Sequence, residues 1–143
     1  MAGQGSGSVN LTVNPVPPGP YSFYAITPCR LFDTRTVAGS PAIQASGTAD
    51  RSFIVASTCG VPADARSISA NVTVTNVSAG GTLSIYRGDG QETGTTTVAL
   101  NAGVTRANNA MLQLALDGSG TIKVQNTSTG TADLIVDVNG YFR

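Results

Sequence analysis

Leu134-Ile135-Val136-Asp137-Val138-Asn139-Gly140-Tyr141-Phe142 is the stretch whose reading decides the fold. Leu134, Val136 and Val138 fall on one face of a strand, and Ile135, Asp137 and Asn139 fall on the other. A lone acid in so apolar a strand is costly to bury unless an arginine or backbone N–H groups meet it. One other run has the same character, Pro28-Cys29-Arg30-Leu31-Phe32-Asp33-Thr34-Arg35. The two runs come from opposite ends of the chain. The reading brings them together, closing one β domain. Arg30, Asp33, Arg35 and Asp137 are then its most site-like residues. They make either a polar pocket for a glycan hydroxyl or terminal carboxylate, or a structural ion network that locks the chain ends. The structural reading is preferred.

Working outward, the body begins at Tyr21. Residues 21–27 read as a first strand ended by Pro28, and 29–35 as a short strand or irregular edge. Val37 to Gly47 is a loop. Further strands are expected at 50–56, 67–77, 82–87, 95–101, 107–116, 121–126 and 132–142, separated by Gly-rich turns. About eight strands spaced roughly ten residues apart predict an all-β, two-sheet antiparallel β-sandwich of jelly-roll or immunoglobulin-like type. A single β-barrel is the alternative. No fixed repeat period runs through the Thr/Val alternation, which argues against a solenoid.

The segment before the body has a different character. Ser8-Val9-Asn10-Leu11-Thr12-Val13-Asn14 alternates apolar and polar residues, the pattern of a half-buried strand. Pro15-Val16-Pro17-Pro18-Gly19-Pro20 follows, a stiff extended spacer. The expected organisation is an N-terminal strand arm and linker over 1–20 and a sandwich over 21–143.

Composition narrows the function. Charged residues make up 11% of the 143, and the formal net charge is zero. Lys123 is the one lysine and the seven arginines are scattered, so there is no nucleic-acid footprint. No apolar run approaches the ~18 residues of a membrane-spanning helix. The first eight residues lack the basic start and apolar centre of a secretory leader. If the protein is secreted, a leader has been removed or the chain is part of something longer. With no histidine, Ser/His/Asp and Cys/His catalysis and His-based metal sites are absent. Eight carboxylates, none singled out as a pair, give no catalytic assignment, and no cofactor or metal is expected.

Cys29 and Cys59 read most simply as one disulfide in an oxidising compartment, with two buried thiols in a cytosolic protein as the alternative. Arg87-Gly88-Asp89 is an RGD triplet on a predicted turn, read as a hairpin turn rather than a receptor motif. Tyr21, Phe23, Tyr24, Tyr86, Tyr141 and Phe142 are candidates for an aromatic sugar platform, with half of them expected in the core.

Several motifs fall in a recognisable order: Pro-Cys-Arg-Leu-Phe-Asp-Thr-Arg at 28–35, Cys-Gly-Val-Pro at 59–62, Asn-Val-Thr-Val at 71–74 and Gly-Thr-Leu-Ser-Ile-Tyr at 81–86. Ala107-Asn108 and Asp137-Val138-Asn139-Gly140-Tyr141-Phe142 complete the set. Together they resemble a β-rich module found near the C-termini of secreted and surface proteins of soil-type bacteria, which closes on Gly-Tyr-Phe. The resemblance covers about residues 24–143. It implies an extracellular location and a Cys29–Cys59 bridge, and it carries no activity. Segment 3–16 resembles the end of a bacterial immunoglobulin-like domain, with Pro15–Pro20 as an interdomain linker.

The expectation is therefore an extracellular structural or adhesion subunit and not an enzyme. Its arm, with Val9, Leu11 and Val13 as plugs, completes a sheet in another copy, giving a fibre or a closed oligomer. The alternative is a lectin-like module that binds surface glycan.

Overall fold

The computed structural model describes residues 19–143. The arm residues Val9, Leu11 and Val13 lie outside the described residues. Eight strands follow in order: β1 (Phe23–Asp33), β2 (Arg51–Ile54), β3 (Ser67–Thr75), β4 (Gly81–Arg87), β5 (Val98–Leu100), β6 (Arg106–Gln113), β7 (Thr121–Asn126) and β8 (Asp133–Phe142). They form two four-stranded sheets, ordered β1-β8-β3-β6 and β2-β7-β4-β5. Every pairing is antiparallel. This strand order is that of an eight-stranded jelly roll. The sheets remain separate, so the barrel alternative is excluded.

Alternation in β3 shows why the sheets pack face to face. Ile68, Ala70, Val72 and Val74 are buried, while Ser67, Ser69, Asn71, Thr73 and Thr75 are half-buried on the outer face. β8 lies beside it, with Leu134, Val136 and Val138 fully buried. Leu83, Ile122 and Val124 of the second sheet complete the core opposite. Each such aliphatic side chain contributes roughly 1.5–3 kcal/mol by leaving water. β8 pairs Gly140 with Ser69 and Val138 with Ala70, so Asn139 is the extra residue of a bulge. Beyond that bulge Tyr141 packs against the core.

Several strand limits differ from the sequence reading by one to three residues, β2, β3 and β6 being shorter than expected, and two differences have a clear physical reason. Pro28 does not end the first strand: β1 continues to Asp33 as one strand paired with β8. β1 is an edge strand, and its register shifts between Ala25 and Cys29. An edge position and an irregularity together accommodate a residue with no N–H. β5 is shorter than the expected 95–101. Thr97 still gives its backbone N–H to Leu83 O, but its hydroxyl then accepts from the Ile85 N–H. A side chain has replaced the next rung, and the ladder ends.

Candidate functional site

β1 and β8 run antiparallel with Arg30 directly opposite Asp137. The Arg30 guanidinium forks onto that carboxylate, Nε to Oδ1 at 2.8 Å and Nη2 to Oδ2 at 3.1 Å. Its remaining nitrogen reaches Asp33 Oδ2 at 3.3 Å. Asp33 is 6% exposed. It also receives Arg35 in a second fork, at 2.9 and 2.6 Å, and the Arg35 backbone N–H at 3.0 Å. The Arg35 guanidinium and backbone N–H, aided by Arg30, hold the Asp33 carboxyl down at about 2 against its burial. The structure therefore brings Arg30, Asp33, Arg35 and Asp137 together. Arg30 bridges both acids, whereas Arg35 bonds Asp33 and not Asp137. Both oxygens of each acid already accept a hydrogen bond from an arginine.

A second polar knot lies beside the first. Thr34 is buried; its hydroxyl donates to Asp133 Oδ1 at 2.8 Å and accepts the Leu134 N–H at 2.8 Å. Asn76 donates to the other Asp133 oxygen at 2.8 Å. The loop leaving β1 then turns so tightly that a side chain at Gly39 would collide with the Asp33 carbonyl. Sequence reasoning missed Thr34, Asn76 and Asp133. The signal was the Asp-Thr-Arg triplet itself, whose central hydroxyl is held by hydrogen bonds just as the flanking charges are.

Next to this seam the sandwich is closed from sheet to sheet. Cys29 on β1 and Cys59, beyond β2, form a disulfide with a Cα–Cα distance of 5.7 Å. The Phe32 ring of one sheet stacks on the Phe53 ring of the other, centroids 3.9 Å apart, and the Arg51 guanidinium covers Phe53. Arg51 also donates to the carbonyls of Gly39, Ser40 and Pro41, holding the connecting loop down.

The opposite side is different. β6 pairs with β3 through eight residues in unbroken register, from Ser67–Gln113 to Val74–Arg106. Among the described residues, no strand is hydrogen-bonded to its other edge. Met111 on this strand is 75% exposed. Because β5 is short, a groove of about 550 Å³ opens between β6 and β4, with Ile85, Thr95, Met111 and Gln113 among its walls. Tyr21, where the chain enters the body, lines the neighbouring hollow with Ser67, Met111, Gln113 and Phe142.

The other candidates resolve individually. In the RGD triplet, Arg87 reaches its own Asp89 at 3.4 Å, and Asp89 accepts the Leu116 N–H at 3.0 Å. A side chain at Gly88 would run into Thr121. This triplet is a turn. Phe23 packs on Phe142 and Tyr24 on Tyr141, at centroid distances of 5.1 and 5.3 Å. Tyr86 lies apart from them and donates to Asp50; burial, then that carboxylate, pushes its phenol up to about 12. The six aromatics thus do not form one platform. Among the described residues no three His, Cys, Asp or Glu side chains gather as a metal site, and no helix is long and apolar enough to cross a membrane.

No protein-family model matches the chain, and no curated protein matches it. Among solved structures, the coat protein of Tobacco streak virus is similar, with a TM-score of 0.39 and 10% identity over 88% of this chain and 90% of that one. The jelly-roll assignment rests on the strand order and not on this likeness.

Proposed function

We propose that this chain is an extracellular structural and adhesion subunit. Its N-terminal arm, residues 8–14, adds as a strand to another copy, producing a fibre or a closed oligomer. The observation that carries the reading is the bare β6 edge, beside whose end the chain enters the body at Tyr21. Long regular edges are normally blunted in proteins that stay monomeric. Here one is left open among the described residues, in a chain whose sequence also holds a strand-patterned segment outside the eight. Strand addition draws affinity from main-chain hydrogen bonds and register from alternate side chains. The extracellular setting is supported by the Cys29–Cys59 disulfide and by the resemblance to secreted bacterial modules.

Light scattering and negative-stain imaging of the full chain, beside a version lacking residues 1–20, test this. Polymers or closed oligomers are expected for the full chain, with loss on truncation and equal loss for Leu11→Asp. Assembly unchanged by either alteration would sink the proposal. A glycan-binding role has one observation in its favour, the exposed Tyr21, Phe23 and Tyr24 rings at one end. Binding of the full chain on a glycan array, abolished by Phe23→Ala, is its test.

A further inference from the structure

We infer that the acceptor for the arm is the β6 edge of a second copy, entered antiparallel, with Thr12 opposite Asn109 and Leu11 opposite Ala110. This rests on the strand-addition reading and specifies its site.

The edges of the sandwich are not equivalent as acceptors. β1 carries Pro28, two register shifts and the disulfide, each of which interrupts a rung or covers it. β2 has four residues and β5 three, too few for a seven-residue strand. β6 has eight, no proline, no bulge and one charge, Arg106.

The hydrogen-bond phase of β6 follows from one contact. Leu114 gives its N–H to Arg66 O at 2.9 Å, towards β3. Alternation then turns Leu112, Ala110 and Asn108 towards β3, and it turns the N–H and C=O groups of Ala107, Asn109, Met111 and Gln113 outwards. Those outward residues span seven positions, the length of Ser8–Asn14.

Parity fixes the faces. Ala110 and Leu112 point into the sandwich, opposite Ala70 and Ile68. An added strand that fills all seven outward positions antiparallel, as every pairing in the fold is, and sends Val9, Leu11 and Val13 to the same side places them opposite Leu112, Ala110 and Asn108. They then close the groove whose floor is Ile85. Asn10 and Thr12 fall beside Met111 and Asn109 on the polar outer face.

Linker stiffness selects the copy. The seven steps from Asn14 to Tyr21 include four prolines, and in extended form they reach roughly 20 Å. Tyr21 lies beside Gln113, at one end of β6. In the antiparallel register Asn14 lies beside Ala107, at the far end of β6, so filling its own edge would oblige the spacer to run back along the whole strand and reverse at Pro15, whereas a neighbour's edge needs no such return.

The test is cysteine pairing in the full chain. Thr12→Cys with Asn109→Cys, mildly oxidised, is expected to give a ladder of covalent multimers on a non-reducing gel, at least tenfold above each single variant. Thr12→Cys with Met111→Cys should stay near that background, because it reports the parallel alignment. A ladder from the Met111 pair instead overturns the antiparallel register. A covalent monomer overturns the second copy. No ladder from either pair, in a protein that still assembles and still loses assembly on truncation, overturns β6 as acceptor and leaves strand addition standing. A parent chain that does not assemble overturns both. Met111→Pro is an independent check: it removes an outward N–H and none that faces β3. Assembly is expected to fall at least tenfold with the β-sheet circular dichroism retained, and undiminished assembly counts against the acceptor.

Discussion

The side of the sandwich where β1 meets β2 and the side where β6 meets β5 occupy equivalent places at opposite ends of the two sheets, yet they are finished differently. The first is closed by a disulfide, by the stacked Phe32 and Phe53 rings, and by Arg51 pinned to three carbonyls. Its outermost strand is irregular and contains a proline. The second has a straight edge strand, an exposed Met111 and a groove where its partner strand stops early. Edge protection is thus concentrated on one side. The closed side also holds the seam between the first and last strands, where fraying would begin in a fold whose first and last strands pair with each other. The stability of the fold and the proposed assembly thus draw on different edges, and each can be perturbed without the other.

Removing the disulfide should show the largest stability effect. Cys29→Ser with Cys59→Ser opens a loop with a sequence separation of 30 residues. The chain-entropy model puts the loss at roughly 3–4 kcal/mol. For a domain of this size that lowers the thermal midpoint by roughly 10 °C, read by calorimetry. A midpoint unmoved by the double substitution or by reductant would show that the side is closed without the covalent bond.

Next in size is Asp33→Ala. It strips both Arg30 and Arg35 of a carboxylate that is itself buried. Breaking a buried pair costs about 3–5 kcal/mol. The arginines here are about half exposed and rehydrate, so about 2 kcal/mol is expected. Gln113→Ala on the open side should change monomer stability by less than about 0.5 kcal/mol, as exposed substitutions usually do. Denaturant unfolding of the two variants at a concentration where the chain is monomeric checks the contrast. Equal losses would erase it.

How much of this was legible in the sequence depends on the kind of residue. The 134–138 alternation has period two, so it showed which face of the last strand is buried, and the pairing with 28–35 followed from two acids and two arginines in otherwise apolar runs. The continuity of β1 through Pro28 was not legible, because proline is tolerated only once a strand is known to be at an edge. The early end of β5 was equally hidden: Thr97 looks like any strand threonine until its hydroxyl is seen on the Ile85 N–H. Asn76 and Asp133 have no pattern at all, and Thr34 shows only as the centre of the Asp-Thr-Arg triplet. Their roles arise from three separate segments meeting at one place. The open β6 edge was invisible for a deeper reason, since edge or centre is a property of sheet order and sheet order is not written in any one strand.

A smaller effect than the loss of the whole Asp33 side chain separates charge from geometry at the closed seam. Arg35, with Arg30 behind it, lowers the Asp33 carboxyl to about 2 in the folded chain, from 3.8 for the free group. A group whose folded pKa is depressed contributes stability that is fully present above its unfolded pKa and is lost as pH falls through the folded value. The contribution should therefore be constant from neutrality down to about pH 4.5 and disappear between about pH 4 and pH 2. Solvent around the half-exposed guanidinium groups screens the interaction, which limits it to about 1 kcal/mol. Asp33→Asn keeps the shape and removes the titration. Unfolding free energies of parent and variant, measured across roughly pH 2 to 7, should converge towards acid and run parallel above about pH 5. A gap that persists at about pH 2 would mean that the seam depends on the shape of the forked contacts and not on the charge of Asp33.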